Sequence, residues 1–349
     1  MSSRFADDKS GWAPMFPRKV GSAWEVFAPA KLNLYLDVLG HRPDGFHELE
    51  TLMVPVRIYD GLRWTSDCCV GDSDVGDSCV RDSWVGDSPI GAGGRLRIQS
   101  LLPHGSSTDD RTPDFGESSQ NLVLRAAELL ARSAGIEPHG TFLLSKRIPV
   151  QAGMGGGSSD AAAALLLANA AWGIGLAPEQ LASLALELGS DVPFFLQSSP
   201  AVCRGRGEHV ESISGLPHLH FVIVKPPVGL STAEVFSRMN RSEFSDGTIE
   251  TSLTQLINSL RTGALMQAGS WMRNALEPAA AELTEWIDRL RQALIECGGY
   301  AQFMTGSGSA YVGVMRSAVQ ARIAAHLLSN RGLGTVLATS SCSLGTSCA

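Results

Sequence analysis

The chain has no C-x-x-C pair, no leading apolar segment and no excess of basic charge, and each absence removes a class of protein. It also lacks any run of about 18 apolar residues, so no helix is predicted to span a bilayer. Met1 to Trp24 has no signal-peptide core, and Asp7 and Asp8 speak against a transit peptide, so a cytoplasmic protein is expected. Its seven cysteines, an odd number, fit a reducing compartment better than a disulfide framework. A net charge of -7 and a pI near 5.6 exclude a general binder of nucleic acid or membrane surface, since neither polyanion would be attracted.

What is present is ample apolar material: 44% of 349 residues, enough to bury a sizeable core, with two domains the default. Trp24 to Leu39 reads as a strand, with Leu32, Leu34, Leu36 and Val38 alternating against Lys31, Asn33, Tyr35 and Asp37, which puts Lys31 and Asn33 on one face. A turn at Pro43-Asp44-Gly45 leads to a second strand-like stretch, Leu52 to Ile58. Cys69 to Ser88 is a degenerate repeat (CVGDS, DVGDS, CVRDS, WVGDS) with too little apolar surface to order itself, and reads as a surface excursion. Calcium on its aspartates or zinc on Cys68, Cys69 and Cys79 is the alternative, although neither spacing matches a ligand geometry. Asn121 to Ser133 has helical apolar spacing, and Thr141 to Ser145 reads as a strand. Farther on, Phe221 to Val224 and Ala310 to Met315 read as strands and Thr284 to Glu296 as a helix.

The most informative stretch is Gln151-Ala152-Gly153-Met154-Gly155-Gly156-Gly157-Ser158-Ser159-Asp160, which runs into a helix-prone segment from Ala161 to Trp172. Glycines let the backbone turn through positive φ and let a ligand approach, and Ser158 or Ser159 can cap the helix. Free N–H groups and the helix dipole then converge on a ready phosphate site. Alone, such a run could be a flexible turn. It lacks the lysine of a Walker A motif and does not have the Rossmann spacing, which disfavours a P-loop ATPase and a dinucleotide dehydrogenase.

Pro149 to Ala162 resembles the phosphate-binding loop of the GHMP kinases. Pro29-Ala30-Lys31-Leu32-Asn33 resembles that superfamily's first motif and Phe303-Met304-Thr305-Gly306-Ser307-Gly308-Ser309 its third. Asp44-Gly45-Phe46-His47-Glu48-Leu49 resembles the D-G-Y-H-E-L of its diphosphocytidyl-methylerythritol branch. Gly189-Ser190-Asp191-Val192-Pro193 and Ser231-Thr232-Ala233-Glu234-Val235-Phe236, a loop before the C-terminal domain's first long helix, are similar to stretches of the same branch. The likeness extends through about four-fifths of the chain.

The resemblance implies an α+β fold of two lobes, ribosomal S5 domain 2-like at the N-terminus and ferredoxin-like at the C-terminus, with the active site between. It places an ATP-binding domain at residues 22–203 with an insertion at about 67–92, a substrate domain at 204–338, and disordered tails at 1–21 and 339–349. It implies phosphorylation by ATP, with Mg²⁺ carried by the nucleotide, of the 2-hydroxyl of the branch's cytidyl substrate in the non-mevalonate isoprenoid pathway. Another GHMP acceptor (mevalonate, homoserine or a sugar) and an inactive ATP-binding paralogue are the alternatives. Partners are expected to be small molecules, with no nucleic acid and no membrane, and the chain a monomer or weak homodimer.

By the same resemblance Asp191 is the base and Lys31 its charge partner. The ATP site comprises Asn121, Leu122, Lys146, Pro149, Ala152, Gly153, Met154, Gly155, Gly156, Gly157, Ser158 and Ser159, while Thr305, Gly306, Ser307 and Gly308 form the third glycine motif. Asn121 could equally cap a helix, and Lys146 could be solvated. Asn33 and Thr232 are expected on the acceptor's polyol and diphosphate, and Phe46, His47 and Phe236 around its cytosine, with Phe46 replacing the commoner tyrosine. His41, His104, His139, His209, His218 and His220 form no metal-ligand spacing, and no metal ligand is named beyond a contribution from Ser158 or Asp160.

Overall fold

The computed structural model describes residues 15–66, 95–101, 121–197, 199–239 and 250–342. The Cys69 to Ser88 repeat, with the cation readings put on it, lies outside them.

Short β1 (Arg18–Val20) pairs with β2 (Ala23–His41), which forms one antiparallel hairpin with β3 (His47–Thr65). Ordered chain therefore starts before residue 22, and Met15 is already buried. The second strand runs far beyond Leu52 to Ile58 because both its halves find partners: β5 (His139–Ser145) along the second half and β6 (Ala201–Gly205) along the first. The turn is tied by Asp44, whose carboxylate accepts from the Phe46 N–H. Parallel β4 (Arg95–Leu101) flanks β5, β7 (His209–Ser212) flanks β6, and the two-residue β9 (Arg273–Asn274) lies parallel to β2.

Helices α1 (Leu122–Ala134), α2 (Gly156–Ala171), α3 (Pro178–Leu188) and α4 (Val192–Gln197) pack with this sheet around one core. Between Ser212 and His220 the chain passes to a second sheet of order β10-β11-β8-β12, formed by Ala301–Met304, Tyr311–Met315, His220–Lys225 and Thr335–Ser340. Strand period two splits β8 between cores. Phe221 and Ile223 pack with Leu32, Leu34, Val54 and helix α6 (Glu250–Arg261), while Val222 and Val224 pack with α8 (Glu277–Leu283), α9 (Trp286–Glu296) and α10 (Ala318–Ser329). The middle core joins the two sheets. Helices α5 (Thr232–Arg238) and α7 (Leu265–Trp271) complete the second half.

The alternating polar residues of β2, Lys31, Asn33, Tyr35 and Asp37, are all buried, because β2 is covered on both sides. Two expectations are corrected. The tail expected from 339 is ordered to 342, since Ser341 N donates to Leu219 O and Cys342 N to Pro55 O. Ser231 to Phe236 is not a loop: Ser231 sits at the N-cap position of α5, without a side-chain capping bond, and the rest is its first turns. No described helix is long and apolar enough to cross a membrane.

Candidate active site

A cavity of about 750 Å³ opens where the two sheets meet, walled by β2, the 149–158 loop, α1's start, Asp191, Arg206, α5 and the 306–308 loop. Register shifts on both sides of Lys31, between Pro29 and Ala30 and between Asn33 and Tyr35, re-aim this part of β2. Lys31 Nζ then donates to Asn33 Oδ1 at 2.5 Å and stands 3.5 Å from Asp191 Oδ2. Asn33 is itself fixed, donating to Thr51 Oγ1 at 2.8 Å. Asp191 precedes α4, whose Val192, Phe194 and Phe195 are fully buried anchors. Cys203 lies beside this pair; burial first, and the Asp191 charge second, push its thiol up to about 12.

The glycine loop docks directly on the same strand through Lys31 N to Met154 O at 3.0 Å. Gly155 has φ +69, and a Cβ there would fall 2.8 Å from Phe195 Cζ and 3.1 Å from Lys31 Cγ. Gly155 is also the N-cap of α2, which has no side-chain cap. The helix therefore starts before Ser158 and Ser159, and neither caps it: Ser158 lines the cavity, and Ser159 is buried with its Oγ unpartnered. An uncapped N-terminus leaves N–H groups and the dipole's positive end facing the cavity, as an anion site requires.

Lys146 is not solvated. Its Nζ lies 2.5 Å from Asp60 Oδ2 and 2.7 Å from Asp160 Oδ2, all three groups being buried. Asp60 Oδ1 also accepts from Arg147 N and Ile148 N, which steers the chain into the glycine loop. Asp160 gives one carboxylate oxygen to Lys146 while its Oδ1 has no hydrogen-bond partner, and it lines the cavity together with Ser158. Among the described residues no three His, Cys, Asp or Glu side chains converge to hold a metal. Asn121 takes both readings: it caps α1, accepting from Val123 N, and lines the cavity beside Leu122.

The third glycine stretch closes the opposite wall. Thr305 Oγ1 accepts from Asn33 N at 3.1 Å, Ser309 N donates to Gln151 O, and Gly306 lies against the Gly153 backbone. Thr305 is buried behind the wall; Gly306, Ser307 and Gly308 line it, and Thr232 Oγ1 meets Ser307 Oγ at 2.8 Å. Of the three residues expected around the cytosine, Phe236 lines the cavity, and Phe46 and His47 lie outside its lining. His47 packs on Phe236, centroids 4.7 Å apart with planes at 31°, while half-exposed Phe46 lies under the Arg206 guanidinium at 4.7 Å. Burial, then His41, lower the His47 pKa.

Sequence reasoning missed Asp60, Arg206, Asn274 and Glu277. Asp60 sits in a strand with no motif around it, and Asn274-Ala275-Leu276-Glu277 matched none of the quoted stretches; their signal is three-dimensional.

These loops and this fold define a GHMP kinase: the GHMP kinase N-terminal domain model matches residues 121–199 and the C-terminal domain model residues 255–332. A homoserine kinase from Cytophaga hutchinsonii (18% identical, TM-score 0.66, 93% of this chain and 96% of that one) and an L. major mevalonate kinase (14%, 0.64, 94% and 98%) share the fold. Within that class the chain belongs to the 4-diphosphocytidyl-2-C-methyl-D-erythritol kinases. It is 36% identical over 299 residues to the enzyme of that name from Pelotomaculum thermopropionicum, covering 85% of this chain and 91% of the relative. To the one from Granulibacter bethesdensis it is 37% identical over 311 residues, covering 88% and 91%. A crystal structure of 4-(cytidine 5'-diphospho)-2C-methyl-D-erythritol kinase superimposes with TM-score 0.67 at 31% identity, covering 92% of this chain and all of that one.

Proposed function

We propose that the chain transfers the γ-phosphoryl group of ATP to the 2-hydroxyl of 4-diphosphocytidyl-2-C-methyl-D-erythritol, in the cytoplasmic, non-mevalonate route to isoprenoid precursors, as a monomer or weak homodimer. The observation that carries it is the Lys31–Asp191 pair, 3.5 Å apart, on a cavity wall shared with the glycine loop. A kinase needs a positioned hydroxyl, a group to take its proton, and positive charge and N–H donors on the migrating phosphate. Asp191 is the open partner, 31% exposed against 4% for Lys31, so the hydroxyl approaches Asp191 and the ammonium stands behind. Asp191 takes the proton as the oxygen attacks, and the Lys31 ammonium offsets developing charge.

The donor phosphates rest on the N–H groups at the start of α2, with the adenine towards Asn121, Leu122 and Lys146. Ser158 or Asp160, both on the cavity wall, would be the protein residue at hand for a magnesium ion carried by the nucleotide, which would neutralise charge on the phosphates. On the acceptor side, Asn33 and Thr232 meet the polyol and diphosphate, and His47 with Phe236 forms one platform for the cytosine. Three described cations line the cavity. Lys31 faces Asp191 and Lys146 is held between two aspartates, whereas Arg206, beside Phe46, has a looser pairing with Glu208 at 4.0 Å and is the cation to meet the acceptor's diphosphate. The test is ADP release with diphosphocytidyl-methylerythritol, mevalonate, homoserine and galactose as acceptors. Turnover of the cytidyl compound alone is expected; turnover of another acceptor, or of none, overturns the proposal.

A further inference from the structure

One buried side chain outside the cavity wall holds more of the site's backbone than any motif residue. Asn274 is 5% exposed and spends its whole amide on the main chain. Its Nδ2 donates to Met304 O and to Gly306 O, both at 2.7 Å, and its Oδ1 accepts from Leu276 N at 2.9 Å. The backbone of Asn274 belongs to β9, in register with Leu36 of β2, and Ala275 N donates to Leu36 O. Asn274 thus stands on the strand that carries Lys31 and Asn33 while gripping the loop that faces the phosphate loop. Three residues on, Glu277 Oε2 accepts from Met304 N at 3.0 Å, and its other oxygen is held by Tyr311 and Arg291.

We propose that Asn274 is the positioning residue that sets the third glycine loop, Thr305 to Gly308, against Gly153, with Glu277 fixing the strand that leads into it. The inference rests on the kinase reading above, because the loops matter together only if both grip one phosphate chain. Its physical basis is that two carbonyl oxygens converge on one NH₂ group. Only a carboxamide places two donors on two acceptors while offering an acceptor in the same plane, and asparagine does so on the short stem this buried position holds. Without those donors, two buried carbonyls lose their partners and the loop relaxes away from Gly153.

The test is direct binding of ADP to the full chain, with melting temperature and turnover measured alongside. Asn274→Ala is expected to weaken ADP by about tenfold or more, with the acceptor's KM changed far less. Asn274→Asp adds a readout that a merely structural asparagine would not move. Its carboxylate faces two carbonyls and disfavours the closed loop, whereas its protonated form donates to one of them. Closed-loop burial raises that carboxyl's pKa, so the grip is present at low pH and lost as pH rises through the raised value. ADP affinity of Asn274→Asp, relative to wild type, should therefore rise as pH falls from 8 to about 5. Unchanged ADP affinity in Asn274→Ala with a lowered melting temperature would overturn the proposal. If that variant does not fold, a pH-independent affinity ratio for Asn274→Asp overturns it instead. Because ADP binding is read without acceptor, a wrong acceptor would fail the wild-type turnover panel and leave this result intact.

Discussion

Lys31 and Asp191 face each other with unequal access: the Lys31 side chain is 4% exposed at the cavity wall, while the carboxylate 3.5 Å away is 31% exposed. A solvated ion pair of this length would contribute little. Here one partner is buried, so the pair has a direction: the cation lies on the protein side, and the carboxylate proposed as the base has the open side.

Asp191→Asn keeps the shape and removes the charge, and turnover should fall by roughly 10²–10⁴. ADP affinity should barely change, because the proposed resting place of the donor phosphates is the α2 backbone. Lys31→Met should show the same signature, and the double variant should lose less than the product of the two single losses. Near-normal turnover of folded Asp191→Asn removes it from the mechanism.

The motif-bearing parts of this site were legible because each motif is local: a glycine run, a D-G-F-H turn, a G-S-D-V-P turn. The sheet spine was legible too, from the alternation around Lys31. What the sequence hid are residues whose partners are remote. Asp60 acquires meaning only when β5 delivers Lys146 beside it, and Asn274 only when β9 joins β2. The buried state of Asp37 was equally hidden, since its neighbours Tyr35 and Arg273 come from the same strand and a distant one. Periodicity reported that one face of β2 was polar, and could not report that this face would be covered.

Gly153→Ala should weaken ADP by about tenfold or more while Gly173→Ala does not. Both glycines have positive φ, +71 and +66, so both substitutions carry backbone strain of about 1–2 kcal/mol. Only at position 153 would the new Cβ run into the Thr305 carbonyl; at 173 it meets open space. Equal ADP affinities for the two variants would show that the contact between the glycine loops does not shape the site.

Phe236→Ala and His47→Ala should raise the acceptor's KM by the equivalent of about 1–3 kcal/mol and leave ATP's nearly unchanged. Arg206→Gln should do the same and also flatten the salt dependence of acceptor KM, since it removes a cation from a diphosphate contact. Parallel losses for ATP and acceptor would place these residues in general packing.

The Lys146 triad carries one base and two acids, so it tends to retain a proton. Burial outweighs the attraction of Lys146 and pushes Asp160 up to about 8. A carboxyl whose folded pKa is raised makes the fold less stable as pH climbs from its unfolded value towards 8. Asp160→Asn removes that titration and keeps an amide beside Lys146. The melting temperature of the variant minus that of wild type should therefore increase between pH 5 and pH 8. A constant difference would mean that Asp160 ionises at its ordinary pH and that Lys146 fully compensates its burial.

Excising residues 67–92 should leave turnover intact, and the sheet geometry says why. Strand β3 ends at Thr65, paired with Thr141, and β4 begins at Arg95, paired with His139, so both anchors sit at the same end of β5, on its two flanks. Neighbouring strands are about 4.8 Å apart, which puts the anchors about 10 Å from each other across β5. A Gly-Ser bridge of about six residues, at up to roughly 3.3 Å each, spans that with slack. The cavity lies at the opposite end of the same strand, where Leu144 and Lys146 line its wall. Strand length places the two ends about 20 Å apart. Shortening the connection also lowers its closure entropy slightly, so stability should hold or rise by a fraction of a kcal/mol. The measurement is ADP affinity and turnover of the excised chain against the full one. A folded excised chain that no longer binds ADP would mean that the segment reaches around β5 to the nucleotide, and the site drawn here would lack a wall.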